Sequence, residues 1–105
     1  MKITVSGHHF EISESLQSYV EGKIVPLERY DHEAILAEVT VTYDISGREG
    51  NSYLAEAEIS MPGPNVRAKV SASKPHVAID LLREKLEAQL RKRKEMELDK
   101  RKQAD

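Results

Sequence analysis

Arg91, Lys92, Arg93 and Lys94 stand in consecutive positions of a chain whose formal net charge is −2. Four adjacent cations repel one another and, on a helix, point all the way round it, so they add little to a fold. Such a run suits an anionic partner or a solvated end. Upstream, Lys85 and Lys92 are seven residues apart and stack on one helix flank, with Gln89 between them. Lys23 has the same flanking place beside the apolar stripe of an earlier helix. Their stems can lie along apolar surface while the ammonium groups reach outward. The chemistry these residues offer is neutralisation of phosphate with release of counterions. Arg29, Arg67, Lys69 and Lys74 could extend the set.

Charge is segregated along the chain. Residues 1–66 hold four basic and eleven acidic side chains, whereas residues 67–105 hold twelve basic and seven acidic. Asymmetry of this kind points to a nucleic-acid or membrane partner. No run approaches the roughly 18 apolar residues that a membrane span needs, which favours nucleic acid. The length of 105 residues fits one domain with a small core. There is no cysteine, hence no disulfide frame and no thiolate metal site. Met1 leads straight into KITVSG without an apolar leader, which predicts a cytoplasmic protein. Four tyrosines, one phenylalanine and no tryptophan leave few rings for stacking unpaired bases.

Catalysis and metal binding find no support in the residue pattern. His8 and His9 are neighbours on an extended segment, point opposite ways and chelate poorly, and His32 and His76 are remote in sequence. Asp80 and Glu84 form an acidic pair on an exposed helix face and read as solvated charge, screened by Arg83 or Lys85. No nucleophile elbow, phosphate-cradling glycine loop or cysteine nucleophile is present. The sequence therefore predicts no enzyme, no cofactor and no small-molecule substrate.

The elements that must position the cations are legible in the hydropathy pattern. KITVS alternates and predicts a first strand, with GHH as a turn. Ser13 is a helix N-cap, with Ile12 available for a hydrophobic staple. Leu16, Tyr19, Val20, Ile24 and Leu27 then recur at helical spacing over about four turns. Gly22 weakens this helix, and Pro26 kinks it or ends its regular part. Val39, Val41, Tyr43 and Ile45 share one face of a second strand. Tyr53, Ala55, Ala57, Ile59 and Met61 do so in a third, and Val66, Ala68, Val70 and Ala72 in a fourth. Arg67 and Lys69 lie on the opposite face. These three strands predict an antiparallel meander. Pro75 opens a last helix with the stripe Ala78, Ile79, Leu82, Leu86 and Leu90. The order β-α-β-β-β-α predicts an α+β two-layer sandwich, a four-stranded sheet with both helices on one face. The lysines at 23, 85 and 92 are then expected to line the shoulder between the helices. Residues 1–94 form the domain. Residues 95–105 mix charge signs and read as a helix extension or a disordered tail.

Three segments carry a resemblance: ITVSGHHFEISESLQSYVEGKI, LERY, and AIDLLREKLEAQLRKRK. They are similar to stretches of the short ribosome hibernation-promoting factors, the family that includes ribosome-associated inhibitor A, over roughly residues 1–94. The family fold has the same element order. The resemblance implies a translation inhibitor that binds the small ribosomal subunit near the decoding region, through ribosomal RNA and proteins. There it excludes messenger and transfer RNA and stores the ribosome intact. Carried over by position, Lys23, Arg29, Lys85, Lys92 and Lys94 match basic places of the family. Pro26 and Ala88 stand where lysine and arginine are usual, and SKPHVAID lacks the acidic cap common before the last helix. Arg67, Lys69, Lys74, Arg91 and Arg93 are extra cations that could compensate. The free protein is expected to be a monomer. Two other readings fit the residues alone: a protein-interaction module, or a general double-stranded RNA binder.

Overall fold

The computed structural model describes residues 1–46 and 50–103, the last six of these by their backbone alone. The elements are β1 (Lys2–His8), α1 (Glu14–Ile24), a 3₁₀ helix (Val25–Tyr30), β2 (Leu36–Tyr43), β3 (Tyr53–Ser60), β4 (Val66–Ala72) and α2 (Pro75–Gln103). The sheet order is β1-β2-β3-β4. β2, β3 and β4 form the expected antiparallel meander. β1 pairs parallel to β2, and the crossover that such pairing requires is supplied by α1 and the 3₁₀ helix. The fold is the predicted α+β sandwich.

Each helix begins for a local reason. The Ser13 hydroxyl accepts a hydrogen bond from the Leu16 amide at 3.1 Å, which satisfies one of the first turn's free donors. Glu14 in the first turn and Lys23 in the last complement the helix dipole. The expected four-turn helix is instead eleven α-helical residues followed by the 3₁₀ segment. Pro26, near the start of that segment, cannot donate to the α-helical ladder, and its ring crowds the preceding turn. Periodicity still carries Leu27 into the core.

The core is the inner sheet face closed by the two helical stripes. Leu16, Val20 and Ile24 of α1 and Leu27 of the 3₁₀ helix are buried together with Ala78, Ile79, Leu82, Leu86 and Leu90 of α2. Against them lie Ala37, Val39, Val41, Ala55, Ala57, Ile59, Val66, Val70 and Ala72. No polar or charged residue among the described ones is fully buried.

Two boundaries depart from the sequence reading. The predicted GHH turn is partly strand, because β1 continues to His8. The chain turns at His9, whose φ of 55° lies in the left-handed region. His8 and His9 therefore do not oppose one another across an extended strand; their rings meet edge-on at 4.4 Å. Ile45 was expected to face inward with Tyr43, yet it is 86% exposed. Asp44 ends the strand first: its carboxylate accepts from the Ser46 amide at 2.9 Å and the Ser46 hydroxyl at 2.6 Å, a side-chain turn that overrides the alternation.

Two glycines give opposite expectations. A Cβ on Gly7 would stand 1.9 Å from the Phe10 carbonyl oxygen, whereas one on Gly22 would meet nothing within 4 Å. Gly7→Ala should lower the unfolding free energy by about 1–3 kcal/mol, and Gly22→Ala should raise it by about 0.5–1 kcal/mol. Urea unfolding of the two variants checks both signs.

Candidate nucleic-acid interface

α2 lies across β3 and β4 and has α1 beside it, so its two flanks meet different neighbours. The flank of Lys85 and Gln89 faces the edge strand β4. Gln89 Nε2 donates to the Arg67 carbonyl at 2.6 Å, and Lys85 Nζ to the Lys69 carbonyl at 3.4 Å. Side chains of α2 thus occupy carbonyls of an edge strand that would otherwise stand open to another strand. Further along, the half-buried Arg93 donates to the Pro62 and Pro64 carbonyls of the β3–β4 turn. Lys92 beside it is exposed. On the outer face of β4, the Arg67 guanidinium pairs with Glu58 at 2.6 Å, and Lys69 stands across from Glu56.

The opposite flank of α2 faces α1 and the 3₁₀ helix. Here Asp80 accepts a 2.5 Å hydrogen bond from the Tyr19 hydroxyl and pairs with Lys23 Nζ at 3.5 Å. Lys23 also lies 5.4 Å from the Tyr19 ring centroid, and His76 meets that ring edge-on at 4.7 Å. The bond to Asp80, then burial and the Asp80 charge, hold the Tyr19 hydroxyl above its ordinary pKa. The tie is therefore intact below the ordinary tyrosine range and is lost only as pH rises through the elevated value. Two turns on, Glu87 gathers Arg83 at 3.5 Å, Arg91 at 2.7 Å and the Tyr30 hydroxyl at 3.1 Å. Arg91 is held above the usual arginine value by Tyr30 first and then by Glu87 and Glu95.

The expected shoulder of lysines between the helices is corrected by this arrangement. Lys23 lies there, but Lys85, Gln89 and Lys92 line the other side of α2, against β4. Helical projection states which residues share a flank and not which neighbour that flank meets. The cations form two rows, with Glu84 exposed on α2, and the rows converge on the run 91–94. Arg29 and Arg91 belong to the first row and Arg93 to the second, whereas the Arg67 and Lys69 side chains, expected in the same set, lie apart from both on the open face of the sheet beside Glu58 and Glu56. Lys74 is exposed just before α2, and Lys94 is exposed on the part of the helix past Leu90, the last buried residue among those whose side chains are described. Asp80, read as solvated charge, is instead the partner of Tyr19 and Lys23. Tyr19, Tyr30 and Glu87 were not singled out as site residues. Asp80 and Glu87 are seven apart on one flank of α2, the same spacing that stacks Lys85 and Lys92, so the acidic flank is legible by the same rule.

Among the described residues no three His, Cys, Asp or Glu are grouped to hold a metal ion, and no helix is long and apolar enough to cross a membrane. A family model described as "Sigma 54 modulation protein / S30EA ribosomal protein" matches residues 3–97. The chain belongs to this family. Relatives similar to it include a "Ribosome hibernation promoting factor" of Azotobacter vinelandii, 32% identical over 94% of this chain and 88% of that one. A "Ribosome hibernation promotion factor" of Deinococcus radiodurans is 35% identical over 84% of this chain, which spans 46% of its length. Among solved structures, the Thermus thermophilus Protein Y N-terminal domain superposes with a TM-score of 0.75 at 29% identity, covering 88% of this chain and 98% of that one. A ribosomal subunit interface protein of Coxiella burnetii gives 0.74 at 26% identity, covering 90% and 98%. The S30EA family is one of ribosome-associated regulators rather than enzymes.

The tie between α1 and α2 has a measurable share in stability. Tyr19→Phe should lower the unfolding free energy by about 1–2 kcal/mol, since it leaves Asp80 without a half-buried donor. Lys23→Met should lower it by less than about 1 kcal/mol, since that pair is solvent-screened. Thermal or urea unfolding ranks the two.

Proposed function

We propose that this protein is a ribosome-associated translation inhibitor that binds the small ribosomal subunit near the decoding region, excludes messenger and transfer RNA, and so promotes hibernation. Membership of the S30EA family, with relatives named for ribosome hibernation, supports the ribosome as the target. The observation that carries the mode of binding is α2 as a ridge with a row of cations on each flank, converging on the exposed Arg91, Lys92 and Lys94.

Helical RNA hides its base edges in a deep, narrow groove, so a protein reads mostly its shape and phosphates. A rigid ridge with cations on both sides can meet phosphates of two RNA walls at once. Each neutralised phosphate releases counterions, so six to ten contacts would lower affinity roughly a thousandfold between about 50 and 200 mM salt. Inhibition follows by exclusion, as a folded domain fills a channel that other ligands must share. No bond is made or broken. In this reading the free protein is a cytoplasmic monomer, residues 1–94 are the binding domain, and residues 95–103 extend its charged helix, residues 104 and 105 of the expected tail lying outside the described ones.

Co-sedimentation with purified small subunits tests the proposal: binding is expected at low salt and should fade as salt rises. Absence of binding at low salt would refute it. Reversal of Lys85 and Lys92 to glutamate should weaken binding about tenfold or more with little change in melting temperature, because both side chains are exposed. A double variant that binds like its parent would remove the β4 flank from the interface.

A further inference from the structure

Cations on α2 and on the elements beside it differ in what already holds them. Arg93 is taken up by two backbone carbonyls, and Lys23 is paired with Asp80. Arg91 is likewise paired with Glu87, at 2.7 Å, but it shares a further arrangement with Arg29. They come from different elements, the 3₁₀ helix and α2, yet both terminal guanidinium nitrogens donate to one atom, the Tyr30 hydroxyl oxygen, at 3.0 and 3.4 Å. The same hydroxyl donates to Glu87 Oε1 at 3.1 Å. The Tyr30 ring completes the arrangement, with the Arg29 Cζ 4.9 Å and the Arg91 Cζ 5.7 Å from its centroid. Tyr30 itself packs against the core, so the ring is a fixed post.

We propose that Arg29 and Arg91, held together by Tyr30, form a two-guanidinium site for a single phosphodiester group of the RNA backbone. The site rests on the ribosome-binding reading and adds a defined phosphate position to it. Both guanidiniums reach one oxygen atom, so both can reach one phosphate. Each carries five N–H donors in a planar fork that matches phosphate geometry. Only one terminal nitrogen of each is engaged among the described residues. Arg29 is exposed, and the Arg91 side chain is 60% exposed. Among the described residues Glu87 is the one carboxylate paired with the Arg83, Arg91 and Tyr30 group, and Glu95 acts on Arg91 by its charge; set against Arg29, Arg83 and Arg91, the two acids leave an excess of positive charge for an anion. Guanidiniums oriented before the anion arrives lose less freedom on binding it. Tyr30 is a positioning residue here, and Arg29 and Arg91 make the contact.

The experiment compares the full chain with Tyr30→Phe, Arg91→Gln and the pair Arg29→Gln with Arg91→Gln. Binding to purified small ribosomal subunits is measured as dissociation constant against salt. Tyr30→Phe keeps the ring and removes only the hydroxyl. It should weaken binding about three- to tenfold, and all three variants should flatten the logarithmic salt dependence by about 0.7–0.9 for the lost phosphate. A purely structural role of Tyr30 would leave that slope unchanged, and a melting curve of each variant excludes unfolding. Arg91→Gln removes an exposed group, so it reports even if Tyr30→Phe is unstable. If the parent binds and the variants share its affinity and slope, the two-guanidinium site is overturned while the ribosome-binding reading stands. If the parent does not bind, that reading fails. Tripolyphosphate then decides the site alone, by NMR of the arginine Nε–H groups. Shifts at Arg29 and Arg91 that vanish in Tyr30→Phe support it, and their absence overturns it.

Discussion

Burial of the α2 stripe on the sheet fixes the rotation of that helix about its own axis. Ala78, Ile79, Leu82, Leu86 and Leu90 are each at most 3% exposed, and each large side chain contributes roughly 1.5–3 kcal/mol on leaving water. Turning α2 by one residue would expose several of them together. The helix therefore has one rotational setting, and every polar side chain on it inherits a direction from that setting. Lys85 and Gln89 meet β4 because the stripe faces the sheet. Asp80 and Glu87 meet α1 and the 3₁₀ helix for the same reason.

Polar ties on the two flanks refine this placement rather than produce it. Exposed ion pairs contribute roughly 0–1 kcal/mol each, well below the apolar term. Their value lies in direction. Gln89 and Lys85 hold the α2 flank to the carbonyls of β4, and Arg93 holds the helix past Leu90 to the β3–β4 turn. The open face of the sheet has a different electrostatic character. Register sets Thr4, Glu38, Glu58 and Arg67 in one cross-strand row, and Ser6, Thr40, Glu56 and Lys69 in the next. Acids occupy the two middle strands and cations the β4 edge. A phosphate approaching the middle of that face meets like charge, which disfavours docking by the sheet and supports the helical side as the face for RNA in the proposed binding.

Sequence periodicity carried far because most of this fold obeys one rule per element. The meander, the Ser13 cap, the Pro26 interruption and the α2 stripe all follow from local patterns that tertiary contacts then reinforce. Ile45 was misplaced because alternation alone does not register that Asp44 can bond Ser46 and stop the strand. Gly7 and His8, read with His9 as a turn, belong to β1, and the turn begins only at His9, whose left-handed backbone has no signature in the run GHH. The parallel pairing of β1 with β2 is a long-range choice and leaves no mark in either strand. The candidate site was legible in its residue types and much less so in its grouping. Arg29, Tyr30, Glu87 and Arg91 come together only once the 3₁₀ helix and α2 are set side by side.

The type of a cation states what it can bind, and its existing partners state what it is free to bind. By that criterion the run 91–94 is not uniform. Arg93, on the inner side, is taken up by the β3–β4 turn, while Lys92 and Lys94 are exposed. Arg91 lies between these cases, since Glu87 and Tyr30 orient it without covering it. A side chain in that state needs little further ordering when an anion arrives, whereas an unheld lysine gives up about 1.5–2 kcal/mol of rotamer freedom. In the proposed binding, equal formal charges along the run therefore contribute unequally, and the largest share falls to those that the fold has already aimed and left uncovered.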